Sequence, residues 1–186
     1  MDNCNKSIQI TGTYNKYHMN KIIRNNTKKE PKKLVESNKW TFSSENFEYE
    51  NQLKMVNDIC GNHFNYTDDV SKIVFQHIHK KISGYKQQDS LKKRFDNENF
   101  LDFECVINKM VECKLICRYC NETMNVLYHI SREMKQWSVD RINNNIGHNK
   151  DNFHLACLEC NLNRRRRTDE NYLFTKQLQI VKGNPN

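Results

Sequence analysis

Two cysteine doublets dominate the C-terminal half of this chain: Cys117-Arg118-Tyr119-Cys120 and Cys157-Leu158-Glu159-Cys160, with 36 residues between them. Two thiolates in one tight turn can point at a single ion, and two such turns complete the tetrahedral sulfur shell that zinc accepts without redox chemistry. A closed four-sulfur shell keeps no open coordination position, so it predicts a structural staple and not a hydrolytic centre. A thioredoxin-like dithiol is the competing use of a CxxC pair. It needs a buried strand ahead of it in a βαβ pattern, which neither doublet has. The other four cysteines, Cys4, Cys60, Cys105 and Cys113, are scattered and read as free thiols.

The segment between the doublets has its own order. Gln136-Trp137-Ser138-Val139 reads as a short strand and Phe153-His154-Leu155-Ala156 as a second. The asparagine-rich stretch from Arg141 to Asn152, with Gly147 inside it, reads as a polar loop joining them. From Leu158 to about Arg167 no proline or glycine interrupts a helical composition. The expected order is strand, loop, strand, helix, with the second doublet at the start of the helix. Trp137, Val139, Ile142, Phe153 and Leu155 are assigned to core packing by strand alternation.

The chain carries a formal net charge of +8, which favours a polyanionic partner because bound lysines and arginines release condensed counterions. Arg164-Arg165-Arg166-Arg167 lies at the end of the last predicted helix of this segment. Cations are favoured at a helix C-terminus by the dipole. Four in a row exceed that need and predict phosphate contacts.

The runs Trp137-Ser138-Val139-Asp140-Arg141-Ile142, Gly147-His148-Asn149-Lys150-Asp151-Asn152 and Cys157-Leu158-Glu159-Cys160-Asn161 resemble the HNH endonuclease superfamily, in particular the HNH proteins of large DNA viruses. The resemblance covers about residues 113–167, under a third of the chain. It implies a ββα-metal fold and a metal-dependent endonuclease hydrolysing DNA phosphodiester bonds. By that resemblance Asp140 binds the catalytic divalent ion, Mg2+ or Mn2+, Asn152 fixes the loop through its backbone, and Asn161 projects from the helix toward the ion. A hard ion prefers oxygen ligands of these types, keeps several waters and can stabilise the charge of a pentacovalent transition state.

One position departs from the family pattern. Its general base is a histidine directly after the aspartate, whereas this chain has Arg141, whose guanidinium stays protonated near neutral pH. Arg141 is then expected to clamp the scissile phosphate. The base must come from elsewhere, and His148 is the first candidate because an imidazole suits proton abstraction and its loop borders the expected site. His154 and His129 rank below it.

The rest of the chain predicts an α+β organisation in four parts: a basic, disordered arm over 1–44, a helical region over 45–112, the zinc-bound HNH-type ββα-metal module over 113–170, and a C-terminal helix and tail over 171–186. The arm is rich in lysine and asparagine and too poor in aliphatics to fold alone. Its Lys28-Lys29-Glu30-Pro31-Lys32-Lys33 run also reads as a nuclear address. In the helical region Val70, Ile73, Val74, Ile78 and Ile82 mark one face after a cap at Thr67 or Asp68. A further helix is expected from about Asn99 to Glu112, with Leu101, Val106, Met110 and Val111 inward. His77 and His79 are read as surface or boundary residues. No apolar run approaches the roughly 18 residues needed to span a bilayer, so no membrane partner and an intracellular location, cytoplasmic or nuclear, are expected. The alternative to a DNA nuclease is a catalytically inactive zinc-bound module that binds DNA in viral transcription or genome packaging. RNA stays open as a substrate.

Overall fold

The structure is a computed structural model that describes residues 12–13, 15–16, 19–20, 31–61 and 68–178. Two compact units divide the chain at residue 32. Of the first, the described residues include one helical hydrogen bond, from the Lys16 amide to the Gly12 carbonyl. The second, from Lys33 onward, carries the architecture below, and it is an α+β fold: helices, then a β-hairpin and helix with the four-cysteine cluster.

Residues 33–44, assigned from composition to the arm, are in fact part of this unit. The Leu34 amide bonds the His129 carbonyl at 2.8 Å, and Trp40 and Phe42 pack against the core. Two aromatic rings supply the burial that the lysine count concealed. Most of the arm lies outside the described residues, as do Thr67 and the tail beyond residue 178.

Helix α1 (Tyr49–Cys60) buries Gln52, Val56 and Ile59. Gln52 is a polar residue in the core, and every hydrogen bond it makes has a purpose. Its Oε1 accepts from the amides of Val126 and Leu127 at 2.8 Å each, and its Nε2 donates to the Phe47 carbonyl. This satisfies backbone groups that would be costly to bury unpaired. Helix α2 (Asp69–Leu91) starts at Asp68, whose carboxylate accepts from the Val70 and Ser71 amides, and buries Val70, Val74, Ile78 and Ile82 on the expected face. The same face buries His77 and, near its C-terminal end, Asp89. Helix α3 (Phe103–Glu112) is capped by Asp102 and turns Val106, Ile107 and Met110 inward. It begins four residues later than expected, because residues 99–101 instead pair with the 148–150 loop: Leu101 N to His148 O at 3.0 Å and Lys150 N to Asn99 O at 2.9 Å.

Strands β1 (Trp137–Arg141) and β2 (Phe153–Cys157) pair antiparallel, with Trp137 opposite Cys157, Val139 opposite Leu155 and Asp140 opposite His154. A two-stranded hairpin leaves edge groups unpaired. Here α2 covers the β1 edge: the Tyr85 hydroxyl accepts from the Val139 amide at 3.1 Å, and Lys81 Nζ donates to the Trp137 carbonyl. Helix α4 (Leu158–Arg164) follows β2 directly and stops three residues earlier than expected, because Arg165 takes a left-handed conformation with φ of 54°. Helix α5 (Asp169–Gln177) is capped by Thr168 and buries Tyr172, whose ring meets Tyr119 edge-on at 4.8 Å. Of the residues assigned to the hairpin core, Trp137, Val139, Phe153 and Leu155 are buried, whereas Ile142 is exposed because it lies one residue past the strand, in the loop. His77 is buried, while His79 stacks on the Phe103 ring at 4.5 Å. Among the described residues no helix is long and apolar enough to cross a membrane.

Candidate functional site

Cys117, Cys120, Cys157 and Cys160 converge, with all four Sγ atoms within 4.8 Å of one another. A tetrahedral zinc site with Zn–S bonds near 2.3 Å places its sulfurs about 3.8 Å apart. Cys120 and Cys157 are at 3.9 Å. The first doublet is shaped by local backbone geometry: Cys117 N bonds Glu122 O, Asn121 N bonds Cys117 O, and Asn121 takes a φ of 58°. The second sits at the start of α4, where the Cys160 amide donates to the Cys157 sulfur. The Cys157 amide donates to the Cys117 sulfur at 3.3 Å. Thiols this close do not ionise together. A hydrogen bond from Cys157 pulls the Cys117 thiol below its ordinary value, whereas burial and the charge of Cys117 push Cys160 above it. A divalent cation would resolve that conflict, and an all-sulfur donor set suits zinc. Such an ion would staple the 117–120 turn to the β2–α4 junction.

Behind the hairpin, the loop from Ile142 to Asn152 is laced by Asn152. Its Oδ1 accepts from the Asn143 amide at 2.8 Å and its Nδ2 donates to the Asn143 and Gly147 carbonyls. The loop lies against the end of α2, where Gly147 is required for close approach. A Cβ there would collide with the Arg94 carbonyl oxygen and come within 2.9 Å of Asp89 Oδ2.

That contact delivers His148 to Asp89. The buried imidazole places Nδ1 2.9 Å from both carboxylate oxygens, its backbone amide donates to Asp89 Oδ2 at 2.6 Å, and its ring stacks on Tyr85 at 4.6 Å. With Nδ1 held, Nε2 is the ring atom left for proton exchange. Burial lowers the His148 pKa below its ordinary value, and the hydrogen bond and charge of Asp89 work against that fall. His148 lines a cavity of about 380 Å³ together with Tyr85, Arg141, Asn161 and Arg165. Neither His154 nor His129 lines it. His154 faces Asp169 at 3.6 Å, and His129 packs edge-on against Phe47.

Asp140 and Arg164 depart from their expected roles. They form a buried bidentate ion pair, with Arg164 Nε 2.6 Å from Asp140 Oδ2 and Arg164 Nη2 2.8 Å from Oδ1, and relative exposures of 4% and 1%. Tyr119 donates a third hydrogen bond to Asp140 at 2.6 Å and also reaches Asp169 at 2.8 Å. Burial first, and then the adjacent carboxylates, push the Tyr119 phenol far above its ordinary value. Arg164 further donates to the carbonyls of Arg141 and Arg167. It is therefore taken up inside the protein and is not one of the phosphate-facing arginines. The Asn161 amide is also engaged, on Val139 O at 3.0 Å and Ser138 Oγ at 3.1 Å. Asp140 and Asn161 both line the His148 cavity, but a carboxylate already bound by a guanidinium is a poor ligand for a hard divalent cation, which needs several free oxygen ligands.

Arg165, Arg166 and Arg167 are exposed and line a cleft of about 950 Å³ with Lys92, Arg94 and Arg141. Among the described residues no carboxylate lines this cleft. Arg141, Asn144 and Arg165 border both it and the His148 cavity. Arg141 is partly held by the loop, through the Ile146 carbonyl at 3.1 Å. Asp89, Tyr85, Lys92 and Arg94 were missed in the sequence because they sit some 50 residues ahead of the loop they meet. A signal did exist: Asp89 falls at an inward position of α2, seven residues after Ile82, where a carboxylate needs a partner. No protein-family model, no curated protein and no solved structure matches this chain, so the site stands on its own geometry.

Proposed function

We propose that this protein is an endonuclease that hydrolyses phosphodiester bonds of DNA, stapled by a structural zinc ion and using His148 as the base. The observation that carries the proposal is His148 held by Asp89 in a cavity that adjoins a cleft lined by Lys92, Arg94, Arg165, Arg166 and Arg167. The nucleic-acid backbone lies along Arg165, Arg166, Arg167, Lys92 and Arg94, which neutralise phosphates without reading sequence. Nε2 of His148 takes a proton from water as its oxygen attacks phosphorus, and Asp89 holds the imidazole in orientation and stabilises the imidazolium. Arg141 and Arg165 offset the charge that gathers on the phosphoryl oxygens, and the P–O bond to the leaving sugar oxygen breaks as that oxygen takes a proton from solvent water. The Mg2+ or Mn2+ ion implied by the resemblance enters only as an assay condition, because Arg164 holds the carboxylate it would need.

The test is incubation of supercoiled plasmid with zinc-loaded protein, in chelator-free buffer and with added Mg2+ or Mn2+, alongside a single-stranded RNA. The expected outcome is nicking that His148→Ala reduces by about 10²-fold or more while plasmid retardation on a gel persists. A protein that binds plasmid and leaves it supercoiled under every condition would overturn the nuclease reading. The closed Asp140–Arg164 pair favours that second reading, a zinc-stapled module that binds DNA without cutting it.

A further inference from the structure

A second cavity, of about 430 Å³, lies between the 34–36 segment, α2 and the start of α4. Lys81 of α2 lines it, and the cleavage reading does not use this residue. Its ammonium lies over the Trp137 ring at 4.5 Å and the Tyr128 ring at 5.3 Å, and its hydrogen bond goes to the Trp137 carbonyl. Among the described residues no carboxylate lies within ion-pair distance of it. Glu36, which lines the cavity, is taken by Lys80 at 3.3 Å and His77 at 3.5 Å. Arg132 adds a further cation to the wall, while Leu34, Leu158 and Leu162 make the rest apolar. The cavity therefore joins an amine, a second cation and an apolar wall.

We propose that Lys81 is an imine-forming amine and that this cavity takes an aldehyde bearing a phosphate group. The Nζ lone pair attacks the carbonyl carbon, and the amine proton moves to the oxygen to give a carbinolamine. Loss of that oxygen as water leaves the C=N bond, so the step needs no oxidant or reductant. Arg132 matches the phosphate, and the leucine wall with Tyr128 matches the carbon body. Burial supports the chemistry by pushing the Lys81 ammonium down to about 7. The free-amine share of Lys81 at neutral pH is then larger than that of an ordinary lysine. The chemistry has two sources, a free phosphorylated aldehyde or the ring-opened sugar of an abasic site, which is an aldehyde flanked by phosphates.

The experiment treats the full-length protein at pH 7 with pyridoxal 5′-phosphate, or with a duplex oligonucleotide carrying one abasic site, each in the presence of borohydride, which reduces the imine to a stable amine. Peptide mass spectrometry then locates the adduct. The expected result is labelling of Lys81 at least about tenfold above any other lysine with pyridoxal 5′-phosphate, lost in Lys81→Arg, which keeps the charge and preserves the melting temperature. An oligonucleotide adduct at the same lysine assigns the aldehyde to nucleic acid, and labelling by pyridoxal 5′-phosphate alone assigns it to a free compound. Labelling spread evenly over surface lysines, or unchanged in Lys81→Arg, overturns the proposal. The outcome is independent of plasmid cleavage.

Discussion

Replacing Asp140 with alanine should unfold the protein more readily before it says anything about catalysis. The substitution removes both acceptors of the Arg164 fork, at 2.6 and 2.8 Å, and strands a guanidinium that is 1% exposed. Breaking one side of a buried ion pair costs about 3–5 kcal/mol, because the remaining charge stays desolvated. For a folded unit of this size each kcal/mol shifts the melting temperature by about 2–4 °C, so a drop of roughly 6–20 °C is expected. Arg164→Met should cost a similar amount by stranding Asp140, with the Tyr119 hydroxyl as its remaining donor. The double variant Asp140→Leu with Arg164→Met should recover part of the loss, giving a coupling of about 2 kcal/mol in a double-mutant cycle. The assay is urea unfolding at pH 7 with zinc present, followed by tryptophan fluorescence and checked for a constant slope. Single losses below about 1 kcal/mol that add in the double variant would refute the buried pair. An Asp140→Ala protein that is as stable as the parent but loses Mg2+-dependent cleavage would instead return Asp140 to the role of ion ligand.

Three further outcomes are expected. Cleavage should fall away on the acid side below the ordinary histidine pKa of 6.5, because the base must be neutral and burial holds the folded value under that figure. The stability that neutral His148 contributes is complete above 6.5 and is lost as pH falls through the depressed value. Asp89→Asn removes the group that raises this pKa. It should move the acid limb further down and slow cleavage by about tenfold or more, and an unmoved limb in the pH–rate profile refutes the pairing. Zinc analysis should find one ion per chain, and a strong chelator or Cys117→Ser should lower the melting temperature sharply. Cys60→Ser should leave it within a few degrees, and a metal-free protein of unchanged stability refutes the staple. Gly147→Ala should cost about 1–3 kcal/mol and lower activity together, since the added methyl meets the Arg94 carbonyl and pushes the loop that carries His148 off Asp89. Normal activity with full stability refutes that close approach.

The hairpin, its loop and the four-cysteine cluster were legible because each rests on short-range chemistry. Doublet spacing brings two sulfurs to one turn, alternation marks the strands, and an inward stripe on α2 needs only a helical period. The end of α4 was misjudged because a left-handed residue, Arg165, is not signalled by composition. Ile142 was misplaced because hydrophobicity alone does not say where a strand gives way to a loop. The 33–44 segment was placed in the arm by counting lysines, whereas two rings packed on the core decide its position.

Residue types and spacings along the chain were sufficient to decide that this protein builds a β-hairpin and helix beside a four-cysteine cluster, and that it carries a large excess of positive charge. They could not decide which charges face solvent. Asp140, Arg141 and Arg164 read as functional groups of equal standing. Yet a bidentate pair excludes water from two of them, and only Arg141 of the three lines the basic cleft. His148 gained its carboxylate partner only when the loop closed on Asp89, 59 residues earlier in the chain. The physical reason is that proton affinity and ion binding depend on desolvation and on neighbours within about 4 Å, which sequence separation does not encode and tertiary packing supplies.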